Sequence, residues 1–200
     1  MLAAFTTGFA TGFALILAIG AQNAFVIRQG LAKMHVFWLC LFCATSDAVL
    51  ILVGVLGFGV IVERFPQLPT IMAVAGAAFL MSYGLLRFRA AWIGDYEVQL
   101  SGKSASLAAT IATAAAFTWL NPHVYLDTVG LIGAISTKFA TPLHYIYGVG
   151  AISASFVFFF SLGYGARLLA PIMTSAKAWR ILDVLIGVVM FALAIKLLSS

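Results

Sequence analysis

Charge-free length is what most constrains this chain. From Met1 to Ile27 there is no Asp, Glu, Lys or Arg, and at about 1.5 Å per residue such a helix is long enough to cross a hydrocarbon core about 30 Å thick. Phe139 to Ala166 is equally free of charge, and between Lys103 and Lys138 the single formal charge is Asp127. A soluble domain carries about a quarter charged residues, whereas this chain has 8%, against 64% hydrophobic. It is read as an all-α integral membrane protein, which excludes a soluble enzyme. The net charge of +5 does not point to nucleic acid, because the Lys and Arg residues lie mainly between apolar runs and serve to orient the chain in the bilayer. The first run has no basic stretch before it and continues into Gln22 and Asn23, so it is taken as a span rather than a cleavable signal.

Polar residues divide the chain into six expected spans. The first two are Met1 to Ile27 and Met34 to Val62. A third follows Glu63-Arg64 and the prolines Pro66 and Pro69 and ends at Arg87 and Arg89. Ser106 to Thr137, Phe139 to Ala166 and Ile181 to Ile195, the shortest, complete the set. A polar linker at about 90–105 separates half-repeats of about 1–90 and 105–200 within a single transmembrane domain, 1–200. The odd-numbered loops hold Arg28, Lys33, Arg87, Arg89, Lys103, Arg167, Lys177 and Arg180, eight of the eleven basic residues. The positive-inside rule then places both termini outside the cytoplasm, and three spans per half make the halves run in opposite directions. Inverted repeats of this kind build transport sites from broken helices at the bilayer midplane.

Two polar breaks occupy matching places, Gly20-Ala21-Gln22-Asn23 and Thr118 to Asp127, with Asn121 following Asn23 by 98 positions. Pro122 removes an N–H and clashes with the carbonyl four residues back, so carbonyls near Thr118 and Trp119 must find other partners or line a wet cavity. Broken helices are therefore expected in spans 1 and 4. Asp47 stands in a span with no compensating base nearby; a carboxylate there is costly and marks function by default, the structural alternative being an ion pair with another helix. His123 and Asp127 are four residues apart, on one helical face. They give two metal ligands where zinc requires three or more from protein, so no metal is expected. Asp183, three residues after Arg180, reads as a satisfied interfacial charge.

The motifs Gly20-Ala21-Gln22-Asn23-Ala24-Phe25-Val26-Ile27-Arg28-Gln29-Gly30, Ser46-Asp47 and Thr118 to Asp127 resemble those of the lysine exporter (LysE) family. The likeness continues through Ile152-Ser153-Ala154-Ser155 and Ala176-Lys177-Ala178-Trp179-Arg180. Where relatives carry Gly-Pro-Gln-Asn this chain has Ala21, so the signal for a break is weaker in the first span than in the fourth. The resemblance implies a secondary transporter in the cell inner membrane that exports L-lysine, L-arginine or a related basic amino acid, driven by protons.

A zwitterion with a cationic side chain needs carboxylates for its cation and amide or backbone N–H donors for its own carboxylate. Asp47, Gln22, Asn23, Asn121, Pro122, Tyr125 and Asp127 are the expected substrate-binding residues, and Asp47, Asp127 and His123 the expected proton-coupling groups. Desolvation favours the neutral form of a carboxyl group, which makes proton antiport the economical mechanism. The expected partners are the basic amino acid, the coupling proton, the lipid bilayer and, as one option, a second copy in a homodimer; no cofactor and no enzymatic activity are expected. Two alternatives stand beside this reading: a membrane thiol oxidoreductase using Cys40 and Cys43, which form Cys-x-x-Cys, and a passive amino acid channel.

Overall fold

The computed structural model describes residues 1–17, 20–57, 68–96, 105–168 and 170–199. The turn at Glu63-Arg64 with Pro66, and Lys103 of the linker, lie outside the described residues. Every element within them is helical. The chain begins with α1 (Leu2–Ile16), α2 (Ala21–Leu31), α3 (Val36–Val55) and α4 (Leu68–Ile93). The second half opens with α5 (Leu107–Trp119), α6 (Pro122–Tyr125), a π-helical turn (Leu126–Ile132) and α7 (Gly133–Ser136). Then come α8 (Leu143–Leu168), a 3-10 turn (Ala170–Met173) and α9 (Ala176–Ser199).

Among the described residues three helices are long and apolar enough to cross a membrane, Val36–Val55, Leu143–Leu168 and Ala176–Ile195, and the pair α1 and α2, bent by 83°, makes a fourth if taken as one span. Helix α4 continues past Arg87 and Arg89 to Ile93, so the third apolar segment does not stop at the first arginine. The last segment is not the shortest. α9 begins at Ala176 and runs 24 residues, because the Ser175 hydroxyl accepts the Ala178 N–H at 3.2 Å and starts the helix before Ile181.

Packing follows the small residues. α1 lies against α8, where a Cβ on Gly8 would run into the Tyr147 carbonyl and one on Gly150 into the Phe5 carbonyl. α3 crosses the π turn equally closely: a Cβ on Gly54 would sit 2.7 Å from the Thr128 carbonyl, and one on Gly133 2.8 Å from that of Gly54. Such contacts let backbones approach where hydrophobicity alone gives helices no reason to associate in lipid. α3 also packs on α8, and α4 on α9. The largest apolar cluster centres on Phe117, whose ring lies 4.9 Å from those of Phe79 and Tyr83 and 5.5 Å from that of Phe25.

Asp183 differs from its sequence reading. It is fully buried, and its Oδ1 meets Arg28 Nε at 3.2 Å and Arg87 Nη1 at 3.5 Å. The indole of Trp179 lies 5.7 Å from the Arg28 guanidinium and the Tyr83 ring 5.0 Å from that of Arg87. Arg180, its near neighbour in sequence, turns instead against Gly94. Beside this cluster, burial and then the Asp183 carboxylate push the Tyr96 phenol up to about 12, which keeps it a neutral hydroxyl.

Candidate functional site

Both polar breaks are interruptions of helical backbone, and an asparagine stabilises each. Gly20 is extended between α1 and α2, and Asn23 Nδ2 donates to the Ile16 carbonyl at 2.9 Å, satisfying an acceptor that the end of α1 leaves open. At the second break Asn121 is extended, its Oδ1 accepts the His123 N–H at 3.1 Å, and Pro122 takes the first position of α6, where its missing N–H removes no helical bond. Tyr125 Oη then donates to the Trp119 carbonyl at 3.1 Å. A carbonyl expected to lose its helical partner thus gains a phenol.

The two breaks open onto one cavity of about 300 Å³. α2 contributes Gln22 and Asn23, α3 contributes Asp47, and the second break supplies Asn121, His123 and Asp127. Ile16, Ile51, Leu80, Ile132, Phe159 and Leu193 form apolar walls. Six of the expected site residues therefore share one cavity although up to 105 positions separate them, Gln22 to Asp127. Pro122 and Tyr125, also expected to bind substrate, are not part of its lining. Their place is in the backbone of the break.

Asp47 is 4% exposed, and its Oδ2 accepts a hydrogen bond from Ser155 Oγ of α8 at 3.1 Å. Among the described residues no Lys or Arg forms an ion pair with Asp47, while the Arg28 and Arg87 side chains are engaged by Asp183. The partner of this carboxylate among the described residues is thus a hydroxyl and not a basic side chain. Among the described residues Gln22 Nε2 and His123 Nε2 are buried without a hydrogen-bond partner. Gly20 gives α2 no side-chain cap, and the first turn of a helix leaves N–H groups to be satisfied from outside. The cavity thus gathers carboxylates, amide groups and apolar surface in one space.

Cys40 and Cys43 are unbridged and fully buried, and the Cys40 thiol donates to the Phe159 carbonyl at 3.1 Å. Neither lines the cavity, so the thiol reading is not favoured. The sequence reading did not place Ser155 in the site. Its hydroxyl sits in a run of small and aromatic residues that reads as helix packing, and no local signal marks a partner on α3.

The family model for the LysE type translocator matches residues 13–200, which includes both breaks, Asp47 and Ser155. The chain belongs to the LysE-type translocator family. A protein of Salmonella enteritidis named arginine exporter protein ArgO is 40% identical to this LysE-type chain over 202 residues, covering 98% of this chain and 94% of that one. A Mycobacterium tuberculosis protein named as a candidate amino-acid transporter is 41% identical over 186 residues, with 93% and 92% covered. No solved structure matches.

Proposed function

We propose that this LysE-type translocator exports a basic amino acid, L-arginine or L-lysine, across the inner membrane in exchange for protons. The observation that carries the reading is the single cavity that gathers Gln22, Asn23, Asp47, Asn121, His123 and Asp127 from both halves of the chain. Asp47, with Asp127, receives the ammonium or guanidinium group; Gln22 and the first turn of α2 receive the substrate carboxylate through N–H donors and the positive end of the helix dipole. At about 300 Å³ the cavity lies at the small end of ligand sites, the size for one amino acid rather than a peptide. Asp47, Asp127 and His123 are the groups that exchange a proton for the cation. Moving one positive charge outward against an inside-negative potential costs about 2.3 kcal/mol per 100 mV, and proton entry supplies that work.

The architecture proposed around the site is six spans in two inverted halves, the first and fourth broken, both termini outside the cytoplasm, in a protein able to form a homodimer. The pairing of α3 with α8 and of α4 with α9 supports it, since each pair joins elements at corresponding places in the two halves. The test is efflux of labelled arginine and lysine from proteoliposomes under an imposed proton gradient. Asp47→Asn, inserted in normal amount, should abolish coupled efflux, and Asp127→Asn should weaken it less. Proton-driven efflux at the normal rate by Asp47→Asn would overturn the assignment.

A further inference from the structure

Hydroxyls inside these helices mostly bond back to their own backbone. Thr45 donates to the Leu41 carbonyl, Ser82 to Ala78, Thr113 to Ala109, Thr118 to Ala114 and Ser153 to Val149, all one turn back, the usual way a Ser or Thr is satisfied in mid-helix. Ser155, two residues after Ser153 on the same helix, does not. Its hydroxyl leaves α8, crosses to α3 and donates to Asp47 Oδ2. Ser155 is 0% exposed, and among the described residues it is the one hydrogen-bond partner of the Asp47 carboxylate.

We propose that Ser155 is a positioning residue for the substrate's cationic group, acting through Asp47. The terminal torsion of an aspartate is broad, so a carboxylate at a cavity wall has no fixed plane of its own. A hydroxyl bonded to one carboxylate oxygen sets that plane and leaves the other, Oδ1, for the ammonium or guanidinium. Bonds from a hydroxyl to a carboxylate are of the stronger, charge-assisted kind. Gln22, Asn23 and His123 reach the same cavity from α2 and α6, yet none of them bonds to Asp47, so the orientation falls to Ser155 alone among the described residues. The inference rests on the proposed role of Asp47 as the group that meets the cation.

The experiment compares Ser155→Ala, Ser155→Thr and Ser155→Val with Asp47→Asn in proteoliposomes, reading KM and Vmax for labelled L-arginine and L-lysine per inserted transporter. Ser155→Ala should raise KM about tenfold, the scale of one hydrogen bond to a charged group, with Vmax retained. Ser155→Thr should recover most of the affinity because it keeps the donor, and Ser155→Val, of similar shape without one, should not. A KM for Ser155→Ala equal to that of the parent, or Thr and Val variants that behave alike, would overturn the positioning role while leaving Asp47 in place if Asp47→Asn has lost efflux. Normal efflux by Asp47→Asn would remove the underlying reading and the inference with it.

Discussion

Asp183→Asn keeps the volume of a fully buried side chain and removes the charge that two guanidinium groups share. The Arg28 side chain is 7% exposed at 3.2 Å from the carboxylate, whereas Arg87 is 19% exposed at 3.5 Å, so the Arg28 interaction is the drier and the more costly to lose. Removing one partner of a buried pair costs about 3–5 kcal/mol because the remaining charge is left uncompensated. For a chain of this size each kcal/mol corresponds to roughly 2–4 °C, which gives a fall in melting temperature on the order of 10 °C. Intrinsic fluorescence in detergent micelles reads the transition, and Trp179, which stacks on Arg28, is a local reporter. Arg28→Met should destabilise more than Arg87→Met. Arg28→Met and Arg87→Met combined with Asp183→Leu should recover much of the loss, since an apolar replacement of a whole buried ion pair or triad is often neutral. Asp183→Asn melting with the parent protein, or a triple variant whose losses simply add, would refute the reasoning.

Other consequences are open to measurement. Tyr125→Phe leaves the Trp119 carbonyl without its phenol and should cost about 1 kcal/mol in unfolding free energy, with the ring contact to Trp119 preserved. Gly54→Val forces a side chain against the backbone of the π turn and should lower stability by about 1–3 kcal/mol, seen as an earlier melt. Cys40→Ser with Cys43→Ala should retain basic amino acid efflux; its loss in a normally inserted protein would revive the thiol reading. A reporter fused after Ser200 should read outside the cytoplasm, and a cytoplasmic signal would reverse the proposed topology.

What the sequence reveals depends on how local the cause is. The second break was legible because Asn121 and Pro122 act within one turn, through a side-chain cap and a missing N–H. The first break was legible in its polar residues even with Ala21 in place of proline, and the Asn23 bond to Ile16 shows how it is held without one. Asp183 was misplaced for the opposite reason: Arg180 offered a partner three residues away, while the actual ones, Arg28 and Arg87, are 155 and 96 positions distant. Ser155 stood in a run that carries the family likeness, but its partner was invisible on the same grounds, since only the crossing of α8 over α3 brings it to Asp47. The π turn had no signal, because no residue type is reserved for it.

That turn sets the angular register of everything between the second break and α8. A π segment acts as a one-residue insertion in an α-helix, and one residue of α-helix corresponds to about 100° of rotation. Asp127 and Thr128 at its start line the cavity, and Gly133 just beyond its end lies against Gly54. If a residue were deleted between Leu126 and Ile132 and the turn closed to α, the chain would keep the azimuth of the carboxylate or that of the glycine contact, but not both. The spare residue is what allows one short helix to present a polar face to the cavity and a flat one to α3.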